Sequence, residues 1–319
     1  MRIEGASVAE VWFKLLRELH DNGVAVSPRQ IGCHELLGVT LHTPNAGNNI
    51  LVHPARNLNY RFMVAEWLWI WFGHEDVKTI AQYNANIAQF SDDGTKFAGA
   101  YGPPVRSHWP DVVDLFRRDP DTRQAVVAIY RRPVAPTRDV PCTLTLQFFC
   151  RRGQLHTIAS MRSSDIWLGL PYDCFNFTML SNVLASQLHL LLGSFTIHLG
   201  SSHLYDINRE DARRVLDAPE QLSGVQSPQL TGPPPQWMDR VLADRVLHDP
   251  CINLVGEGLK RCGGAVKCVD DGSHMISCIQ CGARYALNDG VSELWLAYAQ
   301  ALTSDTRRDA LMALERMSQ

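Results

Sequence analysis

"MRSSDIWLGLPYDCF", residues 161–175, changes character twice within a short span. Its first part continues HTIAS, residues 156–160, and together they alternate with period two and are rich in small and β-branched residues, which predicts a strand. An apolar run follows, and Asp173 interrupts it. A carboxylate removed from water needs a donor of hydrogen bonds or a partner that shares its proton, so Asp173 is either a helix cap or a ligand-reading group.

Outward from this stretch the elements fall into a mixed α and β pattern. Ser7 and Glu10 have capping-box spacing, apolar residues recur at helical spacing to Leu19, and Gly23 is a stop signal, so residues 8–21 should be a helix. YRFMVAEWLWIWFG, residues 60–73, is apolar nearly all round and predicts a buried helix with Glu66 as its one acid. Residues 123–130 and 142–150 read as strands, FTMLSNVLASQLHLLLG at 177–193 as a long buried helix ended by Gly193, and FTIHLGSSHLY as a further strand. SPQLTGPPP, residues 227–235, predicts a weakly structured connector. The expected organisation is a catalytic domain over 1–245 and a Cys-rich extension over 246–319 ending in an amphipathic helix.

The length suits one large domain, or one medium domain with a small appendage, and the composition is an ordinary one. A formal net charge of -3 supplies no general attraction to nucleic acid or to an anionic membrane. The most apolar stretches are shorter than the roughly 20 residues of a membrane span, and MRIEGASVAEVW lacks the layout of a secretion signal, so a cytoplasmic location is expected. Nine cysteines, four of them between 262 and 281, suit reduced thiols with a local metal site better than a disulfide framework.

Cys142 in VPCTL alone would pass for a buried structural thiol. Its company is more specific: Arg162, Ser163 and Asp165 in MRSSD, then LGLPYD, then GSSHLY with His203 and Tyr205, with Glu66, Tyr101 in GAYG and Arg123 in PDTRQAV upstream. This ordered set, over roughly residues 25–208, resembles the thymidylate synthase superfamily, which places a Pro-Cys nucleophile before Arg-Ser-x-Asp, Leu-Gly-Leu-Pro and Gly-x-x-His-x-Tyr. The resemblance implies an α/β (α+β) fold with a large, mixed, kinked β-sheet packed at a homodimer interface. It implies that Cys142 adds to C6 of a pyrimidine nucleotide and makes C5 nucleophilic toward the one-carbon unit of 5,10-methylenetetrahydrofolate. Glu66 would then relay protons, with its pKa raised by burial, and Asp165 and Tyr101 would assist catalysis. Arg29, Arg162 and Ser163 match phosphate ligands, with Arg123 reaching the phosphate from the partner subunit and the arginines lowering the thiol pKa. His203 and Tyr205 match the pair that reads the sugar hydroxyl, and Asp165, Leu168 and Gly169 match the folate side. The second arginine of the family's pair is Gln124 here, which alters that phosphate contact.

Two departures bear on substrate and product. The position after Leu-Pro-aromatic is usually Asn in thymidylate synthases, whose amide suits uracil; here it is Asp173, which suits cytosine if the pair shares a proton, and the family's deoxycytidylate hydroxymethylases carry the same replacement. The segment YNANIAQFSDDGTKFAGAYG lacks the tryptophans of the methylating members, and LERMSQ is unlike their apolar closing tail, so water is expected to capture the exocyclic methylene. The resulting expectation is 5-hydroxymethylation of a cytidylate, dCMP preferred. CMP as substrate, methylation of dCMP, and a catalytically retired homologue that binds nucleotide or RNA stand as alternatives.

Cys262, Cys268, Cys278 and Cys281 are spaced C-x5-C-x9-C-x2-C, and CIQCGARY resembles a zinc-ribbon knuckle. Four thiolates could hold a structural zinc ion; a ribbon remnant held by packing is the other reading.

Overall fold

The computed structural model describes residues 1–131 and 137–242, apart from 228, 231, 235, 237, 238, 240 and 241. The four cysteines of the C-terminal extension, its expected helix and the boundary near 245 all lie outside the described residues.

The chain opens with β1 (Arg2–Glu4) and α1 (Val8–Asn22). Ser7 accepts a hydrogen bond from the amide of Glu10, and the Glu10 carboxylate accepts from the amide of Ala6, so orphan donors at the helix start are satisfied from both sides. Next come β2 (Val24–Val26), β3 (Cys33–Thr43) and β4 (Ile50–Val52), then α2 (Tyr60–Trp71), α3 (Val77–Ala81), α4 (Gly102–Arg118), β5 (Val126–Ala128), β6 (Thr143–Arg151) and β7 (Gln154–Asp165). The last described elements are α5 (Leu170–Gln187), β8 (Leu191–Tyr205), α6 (Arg209–Leu216) and β9 (Ser223–Val225).

Among the described residues, seven strands form one mixed sheet in the order β1-β3-β8-β7-β6-β5, with β2 also on β3. β1 runs parallel to β3 and β7 parallel to β8; the remaining pairs are antiparallel, with register shifts near Thr143 and Leu155. One face carries the core. Along β7, Leu155, Thr157, Ala159 and Met161 are buried while His156, Ile158 and Ser160 are partly open, so helices cover one side of the sheet and leave the other accessible. Trp12 of α1 is fully buried and donates its indole N–H to the carbonyl of Ile166 at 2.6 Å, tying the first helix to the turn after β7.

The long helix begins and ends earlier than its sequence pattern suggests. Pro171 lies in its first turn, where a missing N–H costs nothing and the fixed φ favours entry, so α5 starts at Leu170 and includes Asp173. It ends at Gln187; His189 adopts φ 54°, reversing the chain into β8. Gly193 is therefore a strand residue, and a Cβ there would meet the His156 ring at 2.8 Å. The connector expected at 227–235 also packs in part. β9 pairs with β4, the Ser227 amide bonds the Gly47 carbonyl, and buried Leu230 bonds the side chain of Asn182.

Candidate functional site

Strand register assembles half of the site. β7 and β8 run parallel with Ser163 beside Ser201 and Asp165 beside His203, while β3 sets Glu35 opposite His203 and Cys33 opposite Tyr205. Cys142 sits just before β6, and the Arg162 amide bonds its carbonyl at 2.9 Å. The Arg162 side chain is not a free surface charge. Its Nε donates to the Pro141 carbonyl, and Nη2 donates to the Val140 carbonyl and lies 3.6 Å from the Cys142 sulfur. Ser163 Oγ and His203 Nδ1 are 3.4 Å apart, and the His203 and Tyr205 rings meet edge to face at 5.1 Å.

The thiol does not behave as the arginine-rich sequence suggests. Arg162 and Arg29 do favour the thiolate, but burial outweighs them, and Asp173 and Asp139 add to it, so the Cys142 pKa is raised. Arg29 lies on an exposed turn where it and Gln30 have φ of 54° and 65°, a costly conformation for residues with a Cβ. Arg123 is exposed, and among the described residues it makes no hydrogen bond or ion pair with this cluster; its carbonyl accepts from Gln147.

Helices α2 and α5 supply the other half. Glu66, Tyr101 and Asp173 each keep a little exposed surface yet are enclosed by protein on nearly every side. Burial raises the Glu66 pKa to about 7, against one opposing hydrogen bond, from Asn176 Nδ2 to Oε2 at 2.7 Å. Asp173 is raised well above the carboxylate range, first by burial and then by the charge of Glu66, and accepts no hydrogen bond among the described residues. It therefore does not cap α5, whose N-cap is Gly169 and lacks a side-chain bond. Tyr101, at the start of α4, stacks on Phe177 with ring centroids 6.3 Å apart, and its raised pKa reflects burial, then Asp173 and Cys142. These effects link Cys142 with Arg162, Asp173 and Tyr101, and link Asp173 in turn with Glu66.

On the other flank Asp165 Oδ1 accepts from the amides of Trp167 and Leu168, which fixes the turn before α5, while Oδ2 is buried with no partner among the described residues. Leu168 is 53% exposed and Gly169 adds no side chain. An orphan acceptor beside an open apolar surface fits a flat heterocycle bearing N–H donors, as the pterin of a folate does. Burial raises the Asp165 pKa and lowers that of His203, each opposed by the other's charge.

Two residues here escaped the sequence reading. Asn176 lies three positions after Asp173, one helical turn along the same face, and that spacing was the available signal. Arg56 is buried, stacks 4.6 Å over Trp167 and donates to the Trp167 carbonyl; nothing in HPARNL pointed to it. Among the described residues no group of three His, Cys, Asp or Glu side chains is placed to hold a metal.

The family model for thymidylate synthase matches residues 10–231, more than half of the chain, so this protein belongs to the thymidylate synthase family. Within that class the chain is similar to the deoxyuridylate hydroxymethyltransferase of Bacillus phage SP01, at 31% identity over 222 residues, covering 63% of this chain and 58% of that protein. The chain thus spans under two thirds of that relative's length.

Proposed function

We propose that the protein is a folate-dependent 5-hydroxymethyltransferase of a pyrimidine nucleotide, with a cytidylate, preferably dCMP, as substrate. The carrying observation is Asp173, a buried acid with no protein donor, held within reach of Cys142 and Glu66. As a neutral acid it donates O–H to cytosine N3 and accepts from the 4-amino group; with the proton shifted to N3, its carboxylate still faces two donors. Uracil can be matched only by the neutral form, through O4 and N3–H. The deoxyuridylate activity named for the SP01 relative favours a second reading, the same chemistry on dUMP.

In this reading Cys142 Sγ bonds to C6 after losing its proton, and Arg162 and Arg29 stabilise the thiolate and hold the phosphate with Ser163. Methylenetetrahydrofolate, seated against Asp165, Leu168 and Gly169, would supply the one-carbon unit to C5; the exocyclic methylene forms as C5 loses its proton to solvent by way of Glu66 and tetrahydrofolate leaves with the electron pair of its broken N–C bond. Glu66 moves protons near the ring, Tyr101 lines the same wall, and His203 and Tyr205 hold the sugar hydroxyl. Water then adds to the exocyclic methylene, its proton passes to Glu66, and the thiolate leaves as the C5–C6 double bond re-forms. The absence of tryptophan from residues 82–102 and the relative's hydroxymethyl chemistry both support water over hydride.

The accessible sheet face is proposed to pair with a second copy and bring Arg123 to the partner's phosphate, in a cytoplasmic homodimer. No described helix is long and apolar enough to cross a membrane. Zinc on Cys262, Cys268, Cys278 and Cys281 rests on their spacing, and metal analysis of the full chain decides it.

The deciding experiment is mass spectrometry of products after incubation with methylenetetrahydrofolate and a mixture of dCMP, CMP, dUMP and UMP. Gain of CH2O on dCMP is expected. Gain of CH2 would replace hydroxymethylation by methylation, and modification of dUMP alone would overturn the reading of Asp173.

A further inference from the structure

The proton-relaying group proposed above must exist in two states, and a buried carboxyl that switches state needs a neighbour able to serve both. Glu66 on α2 has one hydrogen-bonding neighbour among the described residues, the side-chain amide of Asn176 on α5. Asn176 is 1% exposed. Its Nδ2 donates to Glu66 Oε2 at 2.7 Å, while its Oδ1 is buried and has no partner among the described residues. A buried acceptor left idle costs free energy, and native structures rarely keep one without a use. A side-chain amide carries a donor and an acceptor at equivalent positions on a planar group and stays neutral throughout.

We propose that Asn176 is the positioning residue of Glu66, its amide holding the carboxylate through Nδ2–H and, after a half-turn about its terminal torsion, the protonated acid through Oδ1. The idle oxygen is the contact used by the other protonation state. The proton that leaves water during product formation goes to Glu66, whose O–H then donates to Asn176 Oδ1, and its later departure restores the Nδ2 bond. No atom of the pocket has to move except the amide. A hydroxyl can also both donate and accept, whereas an aliphatic side chain can do neither.

The acid–base environment of this pair is narrow. The titratable groups that interact with it are Asp173 and Tyr172, both on α5, and no charge from α3 or α4 acts on Glu66 among the described residues. The Asn176 donor opposes the effect of burial, so its removal should leave Glu66 harder to ionise.

The inference rests on Glu66 acting as the proton relay, and the test separates the two. Release of tritium from C5 of labelled dCMP would be followed between about pH 6 and 9 in the full-length wild type, Glu66→Gln, Asn176→Leu and Asn176→Ser, with nucleotide affinity measured alongside. Wild type should show an acidic limb near the Glu66 pKa of about 7. Asn176→Leu should move that limb up by about one unit with nucleotide affinity unchanged, and Asn176→Ser should keep it near the wild-type position. A folded Asn176→Leu with lowered turnover and an unmoved limb would reduce Asn176 to a packing residue and overturn the proposal. If Asn176→Leu does not fold, Asn176→Ala replaces it under the same criterion. A Glu66→Gln enzyme of undiminished turnover would instead overturn the reading of Glu66 itself.

Discussion

The two walls of the cleft solve the problem of enclosed polar groups in opposite ways. On the strand wall, Arg162 is bonded to two backbone carbonyls, Asp165 Oδ1 to two amides, and Ser163 faces His203. On the helix wall the amide of Asn176 bonds Glu66 alone, and Asp173 has no hydrogen bond among the described residues. Groups that are satisfied by their own backbone hold still whether or not a ligand is present, which suits binding and orientation. Groups short of partners keep displaced pKa values and unused capacity, which suits chemistry and discrimination. Changes on the strand wall should therefore act mainly on KM and changes on the helix wall mainly on kcat or on choice of base.

The largest effect is expected at the junction of the walls. Cys142→Ala should lower turnover by ~10⁴-fold or more in the mass-spectrometric assay; turnover near wild type would remove covalent catalysis altogether. Next, Glu66→Gln should cost about 10²- to 10⁴-fold in kcat with little change in KM. The same variant should be more stable than wild type at pH 8. The folded state holds the Glu66 proton up to about pH 7 whereas the unfolded chain releases it near 4.5, so stability is lost as pH rises through that window, by up to about 3 kcal/mol. Thermal melts at pH 5 and pH 8 would check this, and equal gains at both would place the cause in packing rather than ionisation.

Asp173→Asn should shift the ratio of kcat/KM from cytidylate toward uridylate by about 10²-fold in competition between dCMP and dUMP. The smallest effect is expected on the other wall, where Ser163→Ala should raise nucleotide KM by roughly tenfold and leave kcat alone. A fall in kcat at Ser163 that matched the fall at Glu66 would erase the distinction between the walls.

The strand wall was the more legible of the two in sequence. Ser163 and Asp165, and likewise His203 and Tyr205, lie two apart in short motifs whose period-two alternation fixes their face, and β-register then joins them; Arg162 was legible from its motif alone. The helix wall was read only at its acids. α5 is apolar on all sides, so its pattern gave no face and no ends: Pro171 went unused as a start signal, and the run to Gly193 concealed the turn at His189. Asn176 carried no charge to draw attention. The balance between burial and the arginines at Cys142 could not come from sequence, because it depends on how much protein surrounds the sulfur.

The pairing of β3 with β8 joins Glu35 to His203 and Leu41 to Ile197. During synthesis Cys142, the proposed nucleophile, leaves the ribosome well before β8 with His203 and Tyr205. Such non-local contacts slow folding, since the intervening chain must first be brought to closure. A nascent chain halted after β7 carries Cys142 with neither His203 nor Tyr205 beside it. The proposed nucleotide site is therefore assembled around Cys142 only late, when nearly all of the family domain has been made.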